Sequence, residues 1–350
     1  MIDIVIPNFN GRDLLAICLR SIYSQSYTDW RIILVDNGSS DGSAAFVREH
    51  FPDVSLLALA ENTGFSAAVN RGIEAGDAPL IFLLNNDTEL EPDCLQQLAD
   101  AAVQEPADFF AAKMVNYHER SLLDGAGEGY LRGGAGYRIG TMEADGGVYN
   151  VSRQVFGACG GAALYRRQTL LEVGLFEPRF FAYLEDVDWN LRAARLGKVC
   201  RYVAEARVYH IGSATSGSKF NDFTIRLSTR NSLFVVARNY SRAMLLRYSL
   251  FIGLYQFFWL LFVLKKKQVR PYCRGLAEGI AGWPEMRRYY NDNNENNESR
   301  LRLGGAEVSP AYLQETLRQA EEEAISSIMR RRSAAGKQNR LLLLYQRLFL

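Results

Sequence analysis

The chain has 350 residues, 48% hydrophobic and 23% charged; this supplies one large core or two smaller ones and excludes an intrinsically disordered protein. The net charge of +1 hides an asymmetry: residues 1–224 carry 19 basic and 29 acidic side chains, residues 225–290 carry 12 and 2, and residues 291–350 carry 9 and 8. Five scattered cysteines without a Cys-x-x-Cys pair exclude a zinc ribbon or a disulfide framework and fit a reducing cytoplasm, and MIDIVIPNFN lacks the basic and apolar regions of a signal peptide.

Ile2–Ile6 is a branched apolar run ending at Pro7, which predicts a buried parallel strand. NFNG follows, then an amphipathic helix over Asp13–Ser24. Arg31–Val35 is a second strand, ending at Asp36, and NGSSDGS opens the next helix. Val54–Leu59 is a third strand; ENTGF turns into a helix over Ser66–Ala75; Leu80–Leu84 is a fourth, ending at Asn85-Asn86-Asp87. This alternation predicts an α/β, Rossmann-like fold, a mostly parallel sheet with helices on both faces and functional residues at the strands' carboxyl ends.

Gly125–Gly147 is rich in glycine and weak in periodicity, and reads as a mobile loop beside the site, an ordinary surface excursion being the alternative. FGACGGAALYR at 156–166 combines a glycine turn with a strand. Lys198–Val203 and Arg207–Ile211 read as further strands, His210 closing the second. Between them lies FFAYLEDVDWNLRAAR at 180–195, where an aromatic run leads through Glu185, Asp186 and Asp188 into a helix. Acids at a helix start are favoured by the macrodipole whatever their chemistry, so these residues alone leave a structural and a catalytic role open. The same holds elsewhere. Asp36 can accept hydrogen bonds from a base or ribose, or cap its turn. Asp87 and His210 offer an oxygen and a nitrogen to a divalent ion, or serve the strand ends.

In order, IPNFNG, VDNGSSDGS, ENTGFSAAVNRG, LLNNDTEL, GGAALYRR, FFAYLEDVDWNLR and VYHIGSAT resemble a family-2 glycosyltransferase of the GT-A fold, in its bacterial rhamnosyltransferase-like branch. The resemblance covers residues 1–216, and Asn85 stands where the common Asp-x-Asp metal motif has its first acid. It implies a nucleotide-diphospho-sugar donor and a divalent metal, manganese or magnesium. Pro7, Asn8 and Asn10 would line the nucleotide pocket, Asp36 would hold the base, and Asn62, Gly64 and Asn70 would lie beneath the nucleotide. Asn86 would meet ribose, Asn85 would hydrogen-bond the ribose or bind the metal through its carbonyl, Asp87 and His210 would hold the metal, and Gly160 and Gly161 would shape the sugar pocket. Asp186 would be the base, Glu185 would orient substrate, and Trp189 would pack on the acceptor. The expected reaction is an inverting transfer to a glycan or polyprenyl-diphosphate-linked acceptor in cell-surface polysaccharide synthesis, dTDP-rhamnose being one candidate donor.

Beyond Phe223 the character changes. Asn231–Tyr240 and Ala243–Leu264 are helical by composition, and Tyr248–Leu264 is an uncharged run about 25 Å long as a helix, bracketed by Arg247 and Lys265–Lys267. A weakly polar stripe of Ser249, Gly253 and Gln256 suits a helix lying in a membrane interface; a buried core helix is the alternative. Arg226 and Arg230 are candidates for the acceptor diphosphate. The expected division is 1–224 as the transferase domain, 225–290 as a membrane-associating helical segment, 291–308 as a polar linker and 309–350 as a helical tail. The expected location is cytoplasmic, peripherally on the cytoplasmic membrane; nucleic acid is not an expected partner, because the basic residues alternate with aliphatic runs. Two rivals stay open: a sugar-1-phosphate nucleotidyltransferase, against which the missing pyrophosphate loop after Pro7 argues, and a silent scaffold. Self-association is left open.

Overall fold

The computed structural model describes residues 1–212, 221–295, 307–337 and 340–350. Its centre is a sheet in which β1 (Ile2–Asn8) lies between β2 (Trp30–Asp36) and β4 (Leu80–Leu84), with β3 (Ser55–Ala58) outside β2, all parallel. On the other side of β4, β11 (Ala162–Arg166) runs antiparallel to β4 and to β6 (Phe109–Asn116). β12 (Cys200–His210) then lies parallel to β6. The two strands expected at its position are one, with an irregularity in the pairing between Val203 and Arg207.

The pleat explains the layers, since successive side chains point to opposite faces. Ile4, Ile6, Ile32 and Leu34 pack with Leu15, Leu19, Leu95 and Leu98 of α1 (Arg12–Tyr23) and α4 (Cys94–Gln104). Val5, Ile33, Ile81 and Leu83 face Val69, Ile73 and Trp189 of α3 (Phe65–Ala75) and α6 (Glu185–Arg195). Each fully buried aliphatic side chain of this kind contributes roughly 1.5–3 kcal/mol of transfer free energy.

The glycine-rich segment is ordered, against the expectation of a mobile loop. It forms β7 (Leu123–Ala126), β8 (Glu128–Leu131) and β9 (Ala135–Arg138), with β8 and β9 paired antiparallel. Its glycines serve close approach. A Cβ at Gly133 would stand 2.4 Å from Tyr255 Cβ, and one at Gly136 2.4 Å from Val187 Cγ2.

The C-terminal helices pack on this hairpin and on α6. α7 (Asp222–Asn239) crosses α6, so the expected boundary at 224/225 falls inside a helix. α8 (Arg242–Arg247) and α9 (Ser249–Lys265) follow, and α10 (Val269–Glu295) lies along α7. α11 (Pro310–Ala334) packs on β8 and α12 (Arg340–Phe349) ends the chain. Tyr130, Phe180, Val187, Leu191, Phe234, Leu313 and Leu317 form a shared third core. Part of the expected linker, 296–306, and the last residues of VYHIGSAT lie outside the described residues. Among the described residues no helix is long and apolar enough to cross a membrane.

Candidate active site

A cleft of about 690 Å³ opens over the carboxyl ends of β1, β2 and β4. It gathers Pro7, Asn8, Asn62, Gly64, Asn85, Asn86, Asp87, Gly160, Gly161, Glu185, Asp186 and His210 from six separate segments.

On the strand side, Asn86 Nδ2 donates to Asn8 Oδ1 at 2.7 Å, and Asn8 Nδ2 donates to Asp36 Oδ1 at 2.9 Å. Asp36 is thus one residue behind the wall, 3% exposed, and holds the Asn8 amide. Asn10 joins the first two strand ends, accepting from Ser40 N at 2.8 Å. Asn37, overlooked in the sequence, donates to Asn62 Oδ1 and the Gly64 carbonyl and shapes the ENTGF turn. Gly64 has φ +86°, and a Cβ there would stand 2.6 Å from the Phe181 carbonyl oxygen. Asn70 does not reach the cleft; its Nδ2 donates to the Phe176 carbonyl at 2.7 Å.

At one end, His210 Nε2 lies 3.3 Å from Asp87 Oδ1, and its Nδ1 lies 2.7 Å from Asp124 Oδ2. Arg138 pairs with the same Asp124 oxygen. Burial opposes a charged imidazole, but the two carboxylates outweigh it and push His210 up to about 9. Two ligand atoms on one divalent ion, each about 2.1 Å from it, stand roughly 3.0–3.4 Å apart, so the Asp87–His210 pair fits such an ion. Asp124 orients the imidazole from behind. Asp124 and Arg138 come from the glycine-rich segment, and reading that segment as a loop hid them.

At the other end stand the carboxyls of α6. The chain enters this helix through a strained stretch: Phe181, Tyr183 and Leu184 have φ of 63°, 69° and 65°. At Phe181, ψ −64° and an Ala182 N–H to Phe180 carbonyl bond of 2.7 Å make a positive-φ γ-turn, a rare and costly conformation. Asn231 of α7 holds it: Nδ2 lies 2.9, 2.9 and 2.7 Å from the carbonyl oxygens of Phe180, Ala182 and Tyr183. Arg230 donates to Asn231 Oδ1 and to the carbonyls of Arg179 and Phe180.

Asp186 accepts from the N–H groups of Gly160 at 3.1 Å and Val187 at 2.9 Å. Glu185 has a buried oxygen without a partner. Burial raises both carboxyls; Asp186's charge raises Glu185 further, whereas the backbone donors and Arg138 favour ionised Asp186. Of the two, Asp186 is the one whose surroundings favour the ionised form. Glu128, also overlooked, lines the same cleft with a buried unpartnered oxygen, and burial and Asp186 raise it well above the usual carboxylate range. Asp188 turns away. Its carboxylate accepts from Arg192 Nε at 2.9 Å and Asn239 Nδ2 at 2.8 Å.

Three acceptor assignments are corrected by this geometry. Trp189 is fully buried and donates to the Gly174 carbonyl, because its position on α6 faces the sheet. Arg226 is paired with Glu278 at 2.9 Å, and Arg230 is engaged with the γ-turn; neither lines the cleft.

Chemically, the cleft sets three carboxyls, Asp186 among them held by backbone donors, at one end and an oxygen–nitrogen pair that fits a cation at the other. The family described as Glycosyl transferase family 2 matches residues 3–174. An N-acetylglucosaminyl-diphospho-decaprenol L-rhamnosyltransferase of Mycobacterium tuberculosis is 29% identical over 214 residues, 53% of this chain and 68% of its own. A PGL/p-HBAD biosynthesis glycosyltransferase of Mycobacterium bovis is 28% identical over 265 residues, 71% of this chain and 95% of its own. The solved structure of GalNAc-T7 with UDP, GalNAc and Mn2+ superposes with a TM-score of 0.55 at 14% identity, covering 68% of this chain and 48% of the other, a likeness of fold.

Proposed function

This chain is a family-2 glycosyltransferase of the rhamnosyltransferase-like branch that uses a nucleotide-sugar donor, and on that premise we propose that it transfers a deoxyhexose such as rhamnose from its dTDP-activated form to a polyprenyl-diphosphate-linked glycan, with inversion. The observation that supports this reading best is the joining of Asp186 and the Asp87–His210 pair in one cleft.

In this reading the nucleotide lies along Asn8, Asn62 and Asn86, and the sugar lies between Gly160, Gly161 and the carboxyls. An acceptor hydroxyl is a poor nucleophile. Asp186 takes its proton as the oxygen attacks the anomeric carbon, and the bond to the diphosphate breaks on the opposite face, its electron pair leaving with the nucleotide. Glu185 and Glu128, protonated, donate hydrogen bonds to sugar or acceptor hydroxyls. A divalent ion, manganese or magnesium, would be held by Asp87 and His210 and would offset the charge of the departing diphosphate. A lipid-linked acceptor sets the enzyme peripherally on the cytoplasmic membrane.

The test incubates purified protein and manganese with dTDP-rhamnose, UDP-sugars and GDP-sugars in turn, with and without a short polyprenyl-diphosphate N-acetylglucosamine. Slow donor hydrolysis, accelerated consumption with acceptor, and an inverted linkage are expected. If none of these donors is consumed, the reading fails.

A further inference from the structure

α9 is apolar nearly all round, yet Gln256 and Trp259 turn their polar atoms inward. Gln256 Nε2 donates to Ser232 Oγ at 3.2 Å, and Trp259 Nε1 donates to Thr229 Oγ1 at 2.8 Å. Gln256 is therefore no part of a water-facing stripe. The outward face is Leu250, Phe257, Phe258, Leu261 and Leu264, about half exposed each. At 100° per residue, positions 250, 257, 261 and 264 fall in one row.

The C-terminal helix α12 joins this helix at its flank. Phe251 meets the rings of Tyr345 and Phe349 at 6.1 and 5.3 Å. α12 repeats the inverted pattern: Tyr345 OH donates to the buried Glu321, while Leu343, Leu344 and Leu348 are exposed. Two neighbouring helices thus turn leucine and phenylalanine to the outside, and exposed apolar faces of this kind mark interaction sites.

The borders of this surface are basic. Arg242 and Arg247 precede α9, Lys265 ends it, Lys266, Lys267 and Arg270 follow it, and Arg347 lies among the exposed leucines of α12. No acidic residue occurs between Asp222 and Glu278. We propose that the outward faces of α9 and α12 together form a docking surface for an anionic lipid bilayer, both helices lying in the interface with the basic residues on lipid phosphates. The proposal rests on the lipid-linked acceptor reading and supplies what that reading lacks, the surface that meets the membrane. A bilayer suits the borders better than a second copy, because two copies face to face would oppose like charges. The inward anchoring of Gln256 and Trp259 keeps α9 on the body of the protein, as an interfacial helix requires.

The experiment is co-sedimentation of the full-length protein with vesicles of phosphatidylglycerol and phosphatidylethanolamine, and with phosphatidylcholine alone, at low salt and at about 0.5 M salt. Binding to the anionic vesicles that weakens with salt and persists in part is expected. L344E/L348E on α12 and, separately, F257E/L261E on α9 should each weaken it by about tenfold or more, with donor hydrolysis and melting temperature unchanged. The proposal is overturned if the wild type ignores anionic vesicles at low salt. It is overturned also if the α12 variant binds like the wild type, or if either variant turns a dimer into a monomer by light scattering. Vesicle binding without any donor hydrolysis would sink the transfer reading and leave the docking surface standing; hydrolysis without vesicle binding would do the reverse.

Discussion

Asn231 Nδ2 lies 2.7 Å from the carbonyl oxygen of Tyr183, so a fully buried amide on α7 fixes the last turn before the cleft carboxyls. The same nitrogen serves Phe180 and Ala182, while Asn231 Oδ1 is held by Arg230. Asn231→Ala leaves the Ala182 and Tyr183 carbonyls short of a donor, Phe180 keeping Arg230 and the Ala182 N–H, which costs on the order of 1–3 kcal/mol each where no water replaces it. The expected result is a lower melting temperature together with a fall in turnover larger than any rise in donor KM. Unchanged turnover in a folded variant would show that the γ-turn holds itself.

Asp186→Asn removes the proposed base. Turnover should fall by roughly a hundredfold or more with donor affinity nearly unchanged, since the lost interaction belongs to the transition state. Because burial raises the Asp186 pKa, activity should decline on the acid side from a pH above the usual carboxylate range. Near-normal rates in this variant, with Glu185→Gln inactive, would transfer the role to Glu185.

Chelation should stop transfer, and manganese or magnesium should restore it. Asp87→Asn and His210→Ala should raise the metal concentration needed for half-maximal rate, and Asp124→Asn should do so by about 10–100-fold through the orientation of His210. Full activity in excess chelator would remove the metal from the mechanism.

Asp188 gives a stability prediction. Burial pushes its pKa up, but Arg238, Arg192 and the hydrogen bonds from Asn239 and Arg192 outweigh it and hold it below the usual value. A carboxyl lowered on folding stabilises fully above its unfolded pKa and loses that contribution as pH falls through the folded value. Asp188→Asn should therefore destabilise by about 3–5 kcal/mol at neutral pH, by taking from the buried Arg192 its direct ion partner while Arg238 keeps Glu177, and should flatten the acid limb of stability against pH. Chemical denaturation across pH would show it; an unchanged midpoint at neutral pH would contradict it.

The sheet was legible because strand runs such as Leu80–Leu84 are bounded by residues that end them, and that made the cleft's strand side legible too. What was hidden depended on which way a side chain turns. Trp189 and Asp188 adjoin the cleft acids in sequence, but the rotation of α6 sends both inward. The glycines at 125–136 were misread because in a sequence a glycine that admits a neighbour looks the same as one that loosens a chain. The helices that press on them lie far along the chain, so Glu128, Asp124 and Arg138 escaped notice with them.

Arg132, in the turn after β8, is bonded to Glu321 on α11 across 189 positions of sequence. During synthesis the hairpin that bears Glu128 and Arg138 emerges long before the helix that closes over it. The strand ends can form their pairings early, while the wall opposite them waits for the carboxyl-terminal helices, a contact of very high order that forms slowly. Nascent chains are thus expected to acquire nucleotide affinity before they acquire turnover, and the closing of the carboxyl-terminal helices over the hairpin becomes the step that switches the enzyme on.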